Sequence, residues 1–160
     1  MKIKVGMADL NVVLSPGILY TLGLGSCVGI ALYDNRTKIA GLAHIMLPSS
    51  KAIKNNQNKA KFADTGIEML IDKMVAKGAI IDNITAKIAG GAQMFTFQNE
   101  VSDLLNIGQR NISAVMDVLR DFGIPILSQD VGGNFGRTIE LYSSTGMLVI
   151  KTINHGTKNI

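Results

Sequence analysis

Two side chains of this chain are suited to covalent chemistry: Cys27, its single cysteine, and His44, one of its two histidines. A thiol becomes a strong nucleophile when a neighbouring imidazole takes its proton, and such a thiolate–imidazolium pair attacks carbonyl carbons near neutral pH. Cys27 ends the segment TLGLGSC, in which spaced glycines allow a tight turn. We therefore expect Gly25 and Ser26 to form a loop whose backbone amides, at Ser26 or Cys27, stabilise an oxyanion.

The segments around these residues indicate how they are brought together. Residues 28–33 and 39–47 are apolar and β-prone, and the polar stretch 34–37 between them is suited to a tight antiparallel connection. The sequence therefore predicts two paired strands that place Cys27 and His44 at one end of a sheet.

Each candidate also has a purely structural interpretation. A free cysteine such as Cys27 packs as a small hydrophobic residue, and His44 can be a core histidine with satisfied hydrogen bonds. The Thr21 hydroxyl can accept the second imidazole N–H, but Thr21 is also an ordinary β-branched strand residue. His155, near the end of the chain, is expected to lie in solvent, and we assign it no role. The scattered positions 27, 44 and 155 do not form a metal-ligand spacing, so we predict no metal and no cofactor.

The remaining segments favour an α+β fold. Ser15, Pro16 and Gly17 form a turn signal between strands at 3–14 and 18–22, which predicts a hairpin or a bent strand pair. The polar segment 48–60 is expected to be an exposed loop. Apolar periodicity predicts two helices: one over 62–77, with a stripe of Ile67, Leu70, Ile71, Met74 and Val75, and one around a second stripe of Ile112, Val115, Val118, Leu119 and Phe122. Short β-prone runs lie at 84–89, 126–131, 138–142 and 147–152. This order of elements predicts sheet layers with helices on one side.

Length and charge narrow the class of protein. A chain of 160 residues fits one domain, here 1–160 with a core of about 3–152 and a frayed tail at 153–160. Its net charge of +4 does not indicate nucleic-acid binding, because the local basic excess lies in the 48–60 loop without interleaved aromatic residues. The sequence has neither an apolar run of membrane-spanning length nor a signal-peptide pattern, so we expect a cytoplasmic protein without membrane insertion.

At these residues the sequence resembles the CheD family, chemotaxis proteins that deamidate glutamines on chemoreceptors. The resemblance covers roughly residues 3–152 and rests on ordered motifs: TLGLGSC at 21–27, GLAHIMLP at 41–48, KFAD at 61–64, KIAGGAQMF at 87–95, NIGQRN at 106–111, and DVGG at 130–133 followed by Gly136 and Arg137. Residues 96–105 and the tail depart from it, and neither holds a proposed catalytic group.

The resemblance implies specific roles and a specific fold. The family's catalytic cysteine, histidine and threonine fall on Cys27, His44 and Thr21. The implied fold is a layered α/β/β sandwich of mixed sheets with two main helices, similar to the catalytic domain of cytotoxic necrotizing factor toxins. The implied partners are the cytoplasmic helices of chemoreceptors and the CheC phosphatase.

Four further residues match family motifs: Gly90, Gly91, Arg110 and Asn111. We consider them as substrate contacts, with the alternatives that the glycines serve tight turns and that the Arg-Asn pair caps the second helix.

Two other functions remain open at this stage. A regulatory binding module would not need the Cys27 thiol, whereas a deamidase would lose its chemistry without it. A Cys-His hydrolase acting on another amide or on a small molecule would require a more enclosed pocket.

Overall fold

A computed structural model describes residues 1–94 and 106–160 of the chain as a three-layer sandwich. The described residues form two α-helices, α1 (Ala63–Ala76) and α2 (Ile107–Asp121), and ten strands. The strands are β1 (Lys2–Lys4), β2 (Asp9–Leu14), β3 (Ile18–Leu24), β4 (Val28–Asp34), β5 (Ile39–Ile45), β6 (Ile84–Gly90), β7 (Ile126–Val131), β8 (Arg137–Tyr142), β9 (Leu148–Thr152) and β10 (Gly156–Asn159). None of the described helices is long and apolar enough to cross a membrane.

The strands form two five-stranded mixed sheets. The outer sheet has the order β1-β3-β8-β9-β10 and the central sheet the order β2-β5-β4-β6-β7. Pairing is parallel between β1 and β3 and between β6 and β7, and antiparallel elsewhere. One face of the central sheet packs against both helices, and its other face packs against the outer sheet. The predicted α/β/β sandwich with two helices is therefore confirmed.

Both helices lie where the apolar periodicity predicts them, with two differences at their edges. In α1 the buried stripe contains Ile67, Leu70, Ile71 and Met74, but Val75 is 46% exposed. In α2 the last residue of the expected stripe, Phe122, is likewise exposed. Both lie in the last turn or just beyond it, where the helix surface turns away from the central sheet.

The antiparallel pair β4–β5 forms the middle of the central sheet, as predicted. All seven residues of each strand are buried, because one face packs on the helices and the other on the outer sheet. The Asp34 side chain fixes the connecting turn by accepting hydrogen bonds from the backbone N–H groups of Arg36, Thr37 and Ile80. Burial alone would raise the pKa of Asp34, but these donors outweigh it and lower the pKa.

We expect Asp34→Ala to destabilise the fold by about 2 to 4 kcal/mol, because it leaves backbone N–H groups without their acceptor. Chemical denaturation monitored by circular dichroism measures this change. Asn35→Ala, in the same turn but at an exposed side chain, is the matched control and should leave the unfolding midpoint almost unchanged. Equal midpoints for the two variants would contradict the role given to Asp34.

Two expectations for the ends of the chain were wrong. Strands β2 and β3 do not form a hairpin, because the turn at Ser15-Pro16-Gly17 carries the chain from one sheet to the other: β2 pairs with β5, and β3 pairs with β1 and β8. The tail is not frayed, because β10 pairs with β9 along its whole length. An exposed, polar edge strand such as β10 is held by backbone hydrogen bonds and has little apolar pattern to reveal it.

Candidate active site

Cys27 lies in the short loop between β3 and β4, on the face of the central sheet that packs against the outer sheet. The residue is 8% exposed, so only a small part of it is open to solvent. Burial raises the pKa of the Cys27 thiol, and the backbone N–H of Cys27 itself offsets part of that rise. At neutral pH the resting side chain of Cys27 is therefore a thiol rather than a thiolate.

His44 lies on the same face of the same sheet. It is fully buried, and the register of β4 and β5 places it directly opposite Gly29. Side chains two positions apart on a strand share a face, so Cys27 is a diagonal neighbour of His44 across the strand pair. The structure thus brings the two predicted residues to one end of the sheet.

The third predicted residue, Thr21, contacts His44 from the opposite sheet. Thr21 Oγ1, on β3 of the outer sheet, is 2.7 Å from His44 Nδ1, and it also donates a hydrogen bond of 2.7 Å to the Val5 carbonyl. A hydroxyl has one proton, and here Val5 accepts it, so Thr21 must accept from Nδ1–H. The contact therefore selects the tautomer of His44 with the proton on Nδ1 and a lone pair on Nε2.

His44 Nε2 is buried and has no hydrogen-bond partner within residues 1–94 and 106–160. Burial lowers the pKa of His44 to about 4, so the imidazole is neutral at physiological pH. A raised thiol pKa and a lowered imidazole pKa both oppose charge separation. These two pKa shifts therefore favour a neutral thiol and a neutral imidazole at neutral pH over the expected thiolate–imidazolium pair.

The backbone of the Cys27 loop is tied by its carbonyl groups. The carbonyl of Gly25 accepts from Ala92 N–H at 2.8 Å, and that of Cys27 accepts from Gly91 N–H at 2.8 Å. The N–H groups of Ser26 and Cys27 make no backbone or side-chain hydrogen bond to the described residues outside Cys27 itself. These two amides are therefore candidate oxyanion donors, and the role expected for the Gly25–Ser26 loop stays a prediction.

The two glycines considered as substrate contacts instead shape this loop. Gly90 has a φ of +112°, and a Cβ there would lie 2.3 Å from the Cys27 carbonyl oxygen. Gly91 donates its N–H to the same oxygen. Both glycines are buried, so they contact the backbone of Cys27 in the interior rather than a ligand at the surface.

The other two candidates, Arg110 and Asn111, lie in the N-terminal part of α2 but do not cap it. The cap is Asn106, whose side chain accepts from Gln109 N–H at 3.3 Å, so the expected Arg-Asn cap was wrong. Arg110 is exposed, whereas Asn111 is fully buried against the loop of Cys27. Phe95 and the variable residues 96–105 lie outside the described residues.

Two clefts of the described residues lie away from the thiol. One of about 300 Å³ is lined by residues that include Tyr33, Lys87 and Leu127, and another of about 430 Å³ by residues that include Phe135 and His155. Neither of these two clefts includes Cys27. Within the described part of the chain, no cluster of three or more His, Cys, Asp or Glu side chains is arranged to hold a metal ion.

Sequence reasoning missed two contributions to this site. The Val5 carbonyl orients Thr21, and a backbone carbonyl leaves no trace in residue type. Arg137 has a guanidinium that donates to the Gly132 carbonyl at 2.9 Å and to Asp130, and so supports the glycine-rich segments under the loop. Its sequence signal was its place after Gly136 in a motif shared with the family, which does not indicate which groups it contacts.

Comparison with known proteins gives matches over nearly the whole chain. Residues 46–152 match the family model described as CheD chemotactic sensory transduction. The chain is 58% identical over 158 residues to the probable chemoreceptor glutamine deamidase CheD of Caldanaerobacter subterraneus subsp. tengcongensis, covering 99% of this chain and 97% of that protein. It is 53% identical over 159 residues to the chemoreceptor glutamine deamidase CheD of Halalkalibacterium halodurans, covering 99% and 98%.

Proposed function

The chain belongs to the CheD family, and on that premise we propose that it hydrolyses the side-chain amide of chemoreceptor glutamines, with Cys27 as nucleophile, His44 as general base and acid, and Thr21 as the residue that orients the imidazole. The observation that carries this proposal is the contact between Thr21 and His44, which leaves an unprotonated Nε2 on the same sheet face as the chain's single thiol. The relatives' names supply the substrate.

The first half of the reaction releases ammonia. Cys27 Sγ attacks the carbonyl carbon of the glutamine side chain, and its proton passes to His44 Nε2. The oxygen of the tetrahedral intermediate accepts hydrogen bonds from the N–H groups of Ser26 and Cys27. Nε2–H then protonates the amide nitrogen, the C–N bond breaks, and a thioester remains on Cys27.

The second half regenerates the enzyme. Nε2, again neutral, takes a proton from water while the water oxygen attacks the thioester carbonyl. The C–S bond breaks, and the proton on Nε2 returns to the departing sulfur. The products are glutamate and ammonia, and the receptor helix gains one negative charge. Throughout, Thr21 accepts from Nδ1–H and stabilises the imidazolium that forms twice in each cycle.

This proposal places the protein in the cytoplasm, where the glutamine-bearing helices of chemoreceptors lie. The regulatory alternative, a module that binds a CheC phosphatase and does no chemistry, differs in one testable respect. Such a module needs neither the thiol nor a neutral buried base.

We expect the purified protein to convert specific glutamines of a chemoreceptor cytoplasmic fragment from the same organism into glutamates. Mass spectrometry of receptor peptides detects the conversion, and an enzymatic ammonia assay run in parallel checks its stoichiometry. A fragment incubated without enzyme controls for spontaneous deamidation. If cognate receptor fragments remain unmodified, the binding-module alternative replaces the deamidase proposal.

A further inference from the structure

Asn111 of α2 connects the segment of the nucleophile to the strand of the base. Its Nδ2 donates to the Ser26 carbonyl at 2.9 Å and to the Met46 carbonyl at 3.0 Å. Ser26 directly precedes Cys27, and Met46 is two residues beyond His44. The side chain is fully buried, so one amide group from a distant helix reaches both parts of the site.

The orientation of this amide follows from its partners. Both contacts are to carbonyl oxygens, so the nitrogen must face them, since the flipped amide would set an oxygen against two other oxygens. Asn111 Oδ1 is buried and has no hydrogen-bond partner among the described residues. Burying an unpaired acceptor costs about 1 to 3 kcal/mol, and an apolar side chain of similar size would avoid that cost. Packing alone therefore does not account for an amide at this position.

The loop of Cys27 depends on such ties because no direct hydrogen bond joins the two catalytic residues. His44 Nε2 has no partner among the described residues, so nothing at the reacting atoms themselves fixes their separation. The loop is otherwise held by the carbonyls of Gly25 and Cys27, which are bound on the side of β6. Among the carbonyls of Gly25, Ser26 and Cys27, that of Ser26 is the one whose donor, Asn111 Nδ2, also binds the Met46 carbonyl just after β5.

We propose that Asn111 is a positioning residue, which fixes the loop of Cys27 relative to the strand of His44 and so limits how far the thiol must move for its proton to pass to Nε2. This inference rests on the proposed function, because the reaction whose rate Asn111 affects is the proposed deamidation. Asn111 touches neither the thiol nor, being buried, the substrate, so its effect falls on kcat and not on substrate binding. A misplacement of about 1 Å between reacting groups is enough to slow a reaction by about 100-fold.

Two variants of Asn111 separate hydrogen bonding from packing. Asn111→Ala removes the amide, and Asn111→Asp keeps its size but, as a carboxylic acid that burial beside two carbonyl oxygens keeps protonated, can donate to only one of them and so breaks the tie between them. The matched control is Val115→Ala, one turn further along α2, which loses buried apolar contacts of the same helix without touching Ser26 or Met46. Thermal unfolding of all three variants gives the loss of stability against which activity is compared.

For both Asn111 variants we expect kcat for receptor deamidation to fall about 100-fold with KM unchanged, whereas Val115→Ala keeps the wild-type kcat at a similar or lower melting temperature. Wild-type kcat in the Asn111 variants, or a change confined to KM, overturns the proposal. The first result makes Asn111 structural only, and the second makes it a substrate contact.

Alkylation of Cys27 provides a readout that does not depend on the receptor. The chain has one cysteine, so intact mass after treatment with iodoacetamide at pH 7 reports on that thiol alone. We expect His44→Ala to slow alkylation by removing the base, the Asn111 variants to slow it nearly as much, and Val115→Ala to match the wild type. If this order holds while the wild type fails to deamidate receptors, the proposed function is wrong but the positioning role stands. If Asn111→Ala and Asn111→Asp alkylate as fast as the wild type, the positioning role is wrong.

Discussion

Cys27→Ala is expected to abolish receptor deamidation, with a loss on the order of 10⁴-fold or more, because a methyl group cannot form the thioester on which both halves of the reaction depend. The protein should stay folded. The thiol makes no hydrogen bond to another residue that the structure describes, and alanine removes one buried atom beside the open end of the sandwich. Mass spectrometry of receptor peptides measures the activity, and thermal unfolding measures the stability.

Val28→Ala is the matched control for this variant. Val28 is the next residue and is fully buried, but it faces the helices rather than the outer sheet. Its truncation costs packing energy, about 1 to 3 kcal/mol, and leaves the thiol in place. The two variants should therefore behave in opposite ways, one stable and inactive, the other destabilised and active. Residual deamidation by Cys27→Ala would show that the thiol is not the nucleophile.

The part of this site that could be predicted from the sequence is the part built from neighbouring segments. Cys27 directly precedes β4 and His44 lies on β5, and local patterns predict that these two consecutive strands, joined by a short polar turn, pair with each other. The two helices were predictable for the same reason, since the period of apolar residues within each segment determines which face is buried. Seven buried residues in each of β4 and β5 also explain why these segments are apolar without alternation.

The contacts that complete the site come from segments that are distant in sequence, and no local pattern specifies them. Thr21 reaches His44 only because β3 lies in the outer sheet, whereas the turn signal before it suggested a hairpin with β2. The Val5 carbonyl joins them through the parallel pairing of β1 with β3. The resemblance to a family identified Thr21 as a functional residue, but the direction of its hydrogen bond, and hence the tautomer of His44, follows only from the coordinates.

The role of Asn111 also depends on contacts between distant segments, and the sequence did not predict it. Its motif matched the family, and a polar residue near the start of a helix suggested a cap or a substrate contact. The helix begins earlier, at Ile107, so Asn111 falls inside it on the face that turns toward the central sheet. The apolar stripe that predicted this helix did not define where the helix begins, and the start of the helix decides whether Asn111 is an exposed cap or a buried residue.

His44→Ala is expected to reduce deamidation by about 10² to 10⁴-fold, because both halves of the reaction need a group that accepts and returns a proton. The wild-type enzyme should also show an unusual acid limb. Catalysis requires a neutral Nε2, and burial lowers the pKa of His44 to about 4, so kcat/KM should hold constant with respect to this group from pH 7 down to about 5 and fall as the pH passes through about 4. An unperturbed histidine would begin to lose activity near its ordinary pKa of about 6.5.

His155→Ala is the matched control for this experiment, since His155 is the chain's other histidine and lies exposed beside Phe135, in a cleft that does not include Cys27. It should keep the wild-type rate and the wild-type acid limb. Circular dichroism at each pH separates loss of the base from acid unfolding.

Thr21→Ser keeps a hydroxyl between Nδ1 and the Val5 carbonyl, whereas Thr21→Val removes it and frees Nδ1 to lose its proton while Nε2 gains one. If Thr21→Val is as active as Thr21→Ser, the tautomer of His44 is not set by its contact with Thr21. For the pH profile, an acid limb centred near pH 6.5 in the folded wild type would mean that His44 is solvated in the working enzyme.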